Sequence, residues 1–116
     1  MGITTSNQPI NQFQKDGKRS TANLDRMIHE PARLMIMAVL SAVDSADFIF
    51  VMNQTELSWG NLSAHVAKLE EAGYLSVIKT FKERRPNTTL HLSQKGRNAL
   101  RQYRRQMEFI LDNISE

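Results

Sequence analysis

The chain has no cysteine among its 116 residues. That excludes disulfides, thiolate metal sites and cysteine nucleophiles, and it gives no reason to place the protein outside the cell. Glycine is sparse at five residues, and no glycine-rich phosphate loop, HExxH or GxSxG pattern occurs. Carboxylates are scattered, and none pairs with a histidine at motif spacing. The three histidines, His29, His65 and His91, are dispersed, so no metal site is expected. Long hydrophobic runs are missing as well. The longest, Leu34 to Leu40, is far short of the ~20 residues that span a bilayer. Met1 to Pro9 lacks the apolar core of a signal peptide. Gly2 and Ser6 match a myristoylation pattern that is common by chance. The expectation is a cytoplasmic protein with no cofactor, no membrane contact and no enzymatic activity.

What is present is ordinary for one globular domain with a modest core: 41% hydrophobic and 23% charged residues. The formal net charge is a mild +3, so placement says more than total. Lys79, Lys82, Arg84, Arg85, Lys95, Arg97, Arg101, Arg104 and Arg105 fall between residues 79 and 105 against one acid, Glu83. Residues 20 to 78 lean acidic.

Residues 1–22 are polar and aperiodic and end near Lys15, Lys18 and Arg19. They read as a disordered tail, either solvated or a basic arm on a nucleic acid. Pro31 suits a first helical position, where its missing N–H has no partner to lose. A helix from about Pro31 to Val43 follows, with Leu34, Met35, Ile36, Met37, Val39, Leu40 and Val43 covering nearly its whole circumference. Such a helix needs burial on more than one side, and a second chain would supply one of them. Phe48 to Met52 is ambiguous between strand and helix. Ser58 suits an N-cap for a helix from Trp59 to Ala72, with Leu62, Val66 and Leu69 inward and Gly73 as its stop. Tyr74 to Phe81 and Thr88 to Leu92 read as a hairpin with a longish charged tip, Lys82 to Asn87. Ser93 then caps a last helix reaching about Ile114.

The order of helix, ambiguous segment, capped helix, hairpin and helix is the plan of a winged helix-turn-helix. The stretch from His29 to Leu111 resembles the MarR/ArsR-type winged-helix regulators, closest to their small single-domain members. Three motifs carry the likeness: His29-Glu30-Pro31-Ala32-Arg33-Leu34, the stretch from Leu62 to Leu75 (LSAHVAKLEEAGYL), and Leu92-Ser93-Gln94-Lys95-Gly96-Arg97. The resemblance implies a mainly α fold with a small β-hairpin wing (α+β). It implies a DNA-binding domain over 23–93 and a C-terminal dimerisation helix over 94–116. It also implies that Phe48 is a short strand residue and that Ile49 to Gln54 form the second helix. The metal motif of the ArsR type is missing.

An α-helix fits the major groove. Facing away from Leu62, Val66 and Leu69 are Gly60, Ala64 and Ala67, flanked by Asn61, Ser63 and Lys68. Small outer residues let the backbone approach DNA. Asn61 suits a base edge, Ser63 a base or a phosphate, and Trp59 at the helix start a sugar or thymine methyl, with Ser58 beside it. Equally, Asn61 and Ser63 would be solvated and Trp59 packed on the second helix. By the resemblance His65 points at the DNA backbone; by spacing it sits half-buried at the edge of the inner face. Lys79, Lys82, Arg84 and Arg85 on the wing would contact phosphates, and the Arg84-Arg85 pair would enter a minor groove.

Leu100, Tyr103, Met107, Ile110 and Ile114 are spaced 3, 4, 3, 4, which makes an a/d seam widened by Phe109 and Leu111. The seam would fold back on its own domain or meet a partner subunit. The expected function is a homodimeric transcription regulator binding duplex DNA at an inverted repeat. A winged-helix adaptor for proteins and an RNA-binding winged helix are the alternatives, and no residue pattern defines a small-molecule effector site.

Overall fold

The computed structural model describes residues 23–115; the tail assigned to residues 1–22 lies outside them. Helix α1 spans Pro31–Ser41, strand β1 Ala46–Asp47, helix α2 Phe48–Thr55 and helix α3 Trp59–Glu71. Strands β2, Leu75–Lys82, and β3, Arg85–Leu92, form the hairpin, and helix α4 runs over Gln94–Asp112.

Helices α1, α3 and α4 begin where a side chain accepts from one of their first free N–H groups; α2, which follows Asp47, has no such cap. Glu30 caps α1 by accepting from the Arg33 amide at 2.8 Å, with Pro31 next in line. That bond is the main reason the Glu30 carboxyl titrates below its usual range. Ser58 accepts from the Asn61 amide at 3.1 Å, and Ser93 from the Gly96 amide at 2.9 Å. Helix α3 ends at Glu71 with Ala72 as its cap, and Gly73 follows with a φ of +82°, which suits a residue without a Cβ. Gly96 meets a different demand. A Cβ there would stand 2.1 Å from the Tyr74 carbonyl oxygen, so α4 can leave the sheet only over a bare Cα.

The sheet is antiparallel in the order β1-β3-β2. Its buried end, together with the helices, encloses a core that includes Ile28, Ile36, Met37, Leu40, Val51, Leu62, Leu69 and Leu90. Helix α4 shares that core through Tyr103, and Arg97 ties α4 to the end of α1. Its guanidinium donates to the Ser41 and Val43 carbonyls at 3.2 and 2.9 Å, a cation against the negative end of a helix. The guanidinium of Arg97 is thus committed to the fold, apart from the cations around it in sequence.

Two local expectations are corrected. Phe48 is not a strand residue: β1 is Ala46–Asp47, paired with Leu90 and Thr89, and Phe48 opens α2. Phe48 turns inward there and joins the core, a tertiary choice that outweighs strand propensity. The wing tip is not six residues long. Lys82 pairs with Arg85, so the loop is Glu83-Arg84 alone, with φ of 53° and 68°. Positive φ at both central residues is what a type I′ turn requires, and it matches the twist of the flanking strands. Pro86 is tolerated because Phe81 and Pro86 face each other at a position where β2 needs no N–H. On its other side β1 has already ended.

Candidate nucleic-acid interface

Helix α3 buries Leu62, Val66 and Leu69 and exposes Gly60, Asn61, Ala64, Ala67 and Lys68. The outer face is therefore small along its length, with polar groups at its edges. Asn61 is exposed, whereas Ser63 is half-buried and turns toward the wing. Ser58 is exposed as well; its hydroxyl oxygen accepts the cap bond, which leaves its O–H as a donor. The last turn of the helix is mixed in charge, with Lys68 exposed ahead of Glu70 and Glu71. The N-terminal turn, where the helix dipole is positive, also attracts an anion.

Trp59 combines both readings of its role. Its ring packs against Phe48 at a centroid distance of 4.5 Å, yet the residue remains 58% exposed. One face anchors the start of α3 on α2, and the rest is open to a ligand. Between Trp59, Ser63, Ala67 and the wing residues Val77, Lys79 and Thr88 lies a cleft of about 260 Å³.

His65 points into the domain. Its Nδ1 lies 3.3 Å from an Arg33 Nη1 and 4.0 Å from a Glu30 carboxylate oxygen. A guanidinium can only donate, so Nδ1 is the acceptor and is unavailable to DNA. Arg33, whose Nε also donates to the Met27 carbonyl at 2.7 Å, fixes α3 against α1 from behind. In the sequence Arg33 stands only as part of the motif from His29 to Leu34. Its partners come from other turns of the chain and leave no local signal.

Beyond Val77 every residue of β2 is exposed, so the hairpin projects from the body. Lys79, Lys82, Arg84 and Arg85 are all exposed on it. Lys82 and Arg85 stand directly opposite one another, an arrangement of like charges that weakens a hairpin. Among the described residues, no carboxylate forms an ion pair with any of the four. The tip thus holds concentrated positive charge at a cost to its own stability.

A family model described as a winged helix DNA-binding domain matches residues 32–111. The chain belongs to the winged helix DNA-binding domain family. An uncharacterized protein of Methanocaldococcus jannaschii is 30% identical over 78 residues, covering 67% of this chain and 85% of its own. Among solved structures, a transcriptional regulator homologue from Pyrococcus horikoshii OT3 superposes with a TM-score of 0.75 at 21% identity, over 94% of this chain and 99% of that one. A MarR-family regulator from Silicibacter pomeroyi gives 0.58 at 14% identity, over 98% and 77%. At these identities the likeness is one of fold, and the fold is MarR-like. In the terms of a winged helix, α3 is the recognition helix and β2–β3 the wing.

The residues assigned to the seam on α4 divide. Tyr103 is only 4% exposed and its hydroxyl lies 2.7 Å from His29 Nδ1, so its ring belongs to its own domain. Leu100, Met107 and Ile110 are partly buried against the core. Leu111 and Ile114 are 55% and 60% exposed. Between α1 and α4 runs a groove of about 610 Å³, lined by Leu34, Ala38, Leu100, Met107 and Leu111 and edged by Arg101, Arg104 and Glu108. No helix of the described residues is long and apolar enough to cross a membrane.

Proposed function

We propose that this winged helix is a sequence-specific transcription regulator that binds duplex DNA as a homodimer on an inverted-repeat site. One observation carries the reading. A helix face of small and polar residues lies beside a projecting hairpin on which Lys82 and Arg85 oppose each other without a carboxylate partner. The helix fits a major groove, and Asn61 and Lys68 stand where base edges and phosphates would be. The hairpin then reaches the neighbouring backbone and minor groove.

The homodimer rests on α4. Leu111 on α4 and Ile114 just past its end are exposed beyond Met107 and Ile110, and the α1–α4 groove that Leu111 lines is apolar at its floor. A second copy related by a two-fold axis would seat the same patch on itself. Two recognition helices would then lie roughly 34 Å apart, one turn of DNA.

Selection of bound sequences from random duplex DNA, followed by a salt titration on the winner, tests the proposal. The expected result is an inverted repeat whose affinity falls steeply with salt. Failure to enrich any sequence, or binding indifferent to salt, would overturn it.

A further inference from the structure

The wing carries an aromatic side chain that neither the fold nor the cation pattern explains. Phe81 is 76% exposed. Its place follows from the alternation of β2. Leu75 is buried, Val77 half-buried, and Lys79 lines the cleft beside α3. Phe81 is the next residue on that same face, so it looks to the side of the hairpin from which the recognition helix presents itself. Pro86 stands opposite it on β3 and shares the face. The tip therefore has two unlike sides. One bears the apolar pair Phe81 and Pro86; the other bears Lys82 and Arg85, with Arg84 in the turn.

Position adds to this. Phe81 lies two residues beyond Lys79, roughly 7 Å further out at ~3.3 Å per residue. It is clear of the core and has no packing to gain there. A ring in such a place is exposed to water in the free protein, and the cations around it draw in a polyanion rather than another apolar surface.

We propose that Phe81, backed by Pro86, is an apolar wedge for the DNA minor groove. It presses on the sugar walls and partly unstacks one base step, while Lys82, Arg84 and Arg85 hold the flanking phosphates. Minor-groove proteins combine these two elements: apolar side chains open a step and bend the duplex, and cations keep the backbone in place. In this division the cations supply salt-dependent affinity, and the ring supplies bending and a preference for easily unstacked pyrimidine–purine steps. The inference rests on the DNA-binding reading above and assigns the wing a mode of contact.

The test uses the full-length chain and the duplex obtained by selection. Adenines flanking each half-site are replaced in turn by 2-aminopurine, whose fluorescence rises on unstacking, and the bend is read by energy transfer between the duplex ends. The parent is expected to brighten one flanking position and to bend the duplex. Phe81→Ala should lose both signals and bind roughly tenfold more weakly, with the slope of affinity against salt unchanged. Phe81→Leu should retain part of the bend. Because the side chain is exposed, thermal unfolding of the variants should match that of the parent. Phe81→Ala with the parent's affinity and bend would overturn the wedge while leaving DNA binding intact. A change in sedimentation with no change in bend would overturn it in favour of a protein contact. A parent that binds no duplex would remove the DNA-binding reading and this inference with it.

Discussion

The hydroxyl of Tyr74, at the entrance to the wing, donates to the carboxylate of Asp25, 49 positions earlier in the chain. Asp25 also accepts from the Met27 amide at 2.9 Å, so one carboxylate pins both the segment ahead of α1 and the turn after α3. The recognition helix is thus tied at two points, at its middle to α1 through His65 and Arg33, and just past its C-terminal end to the segment ahead of α1 through Tyr74 and Asp25.

The surroundings of this phenol make stability sensitive to alkali. Burial first, and then the Asp25 bond, raise the Tyr74 phenol from 10 to about 12. A folded-state pKa above the unfolded value means a contribution that is complete below pH 10 and lost as pH rises from 10 through 12. Burial pushes Tyr103 in the same direction. Urea unfolding across this range should show stability declining in the parent and declining less in Tyr74→Phe. At neutral pH Tyr74→Phe should be about 1 kcal/mol less stable. Parallel pH profiles for the two proteins would show that the phenol does not carry the effect.

For the wing, Arg84→Ala with Arg85→Ala should weaken binding to every duplex sequence. Each lost phosphate contact should lower the slope of log affinity against log salt by about 1 per subunit. Fold stability should hold or rise slightly, since the like-charge opposition of Lys82 and Arg85 is relieved. Titration at several salt concentrations decides it; an unchanged slope places the wing off the DNA.

For the recognition helix, Asn61→Ala should change sequence preference at one base position by roughly 1–3 kcal/mol and leave nonspecific binding nearly intact. Ser63→Ala should act more weakly and less specifically, since Ser63 is half-buried toward the wing. Binding profiles over single-base variants of the selected site separate the two effects. A parent-like profile in both variants would mean that the reading face lies elsewhere.

For the dimer, the informative substitution is at an exposed seam position. Ile110 packs partly on its own core, so a charge there would damage the subunit as well as any interface. Leu111→Glu and Ile114→Glu avoid that difficulty. Each should give folded monomers in sedimentation whose affinity for the inverted repeat falls by orders of magnitude, because the second half-site no longer adds its effective concentration. A parent monomeric at micromolar concentration would end the dimer reading.

Much of this fold was legible from single residues. Pro31, Ser58, Gly73 and Ser93 mark helix ends through local chemistry, and Leu62, Val66 and Leu69 mark an inner face by spacing alone. What escaped the sequence depends on partners far along the chain. A two-residue strand such as β1 has no periodicity to read, and it exists only because Leu90 and Thr89 pair with it. The two-residue tip was hidden because neither Glu83 nor Arg84 is the glycine or asparagine that usually announces a type I′ turn. Tyr103 carries the seam spacing yet turns inward to His29, and Arg33, the partner of half-buried His65, lies 32 positions away from it.

The turn at Glu83-Arg84 also bears on how this protein would respond to selection. Two residues with side chains hold left-handed backbone there, each at a cost of about 1–2 kcal/mol relative to an ordinary conformation. Asn-Gly would hold the same turn with less strain. A library randomised at positions 83 and 84 and sorted for thermal resistance should therefore drift toward asparagine and glycine. The same library sorted for retention on DNA should hold arginine at 84. Where the two sorts diverge, the wing tip has been kept for what it touches and not for how well it folds.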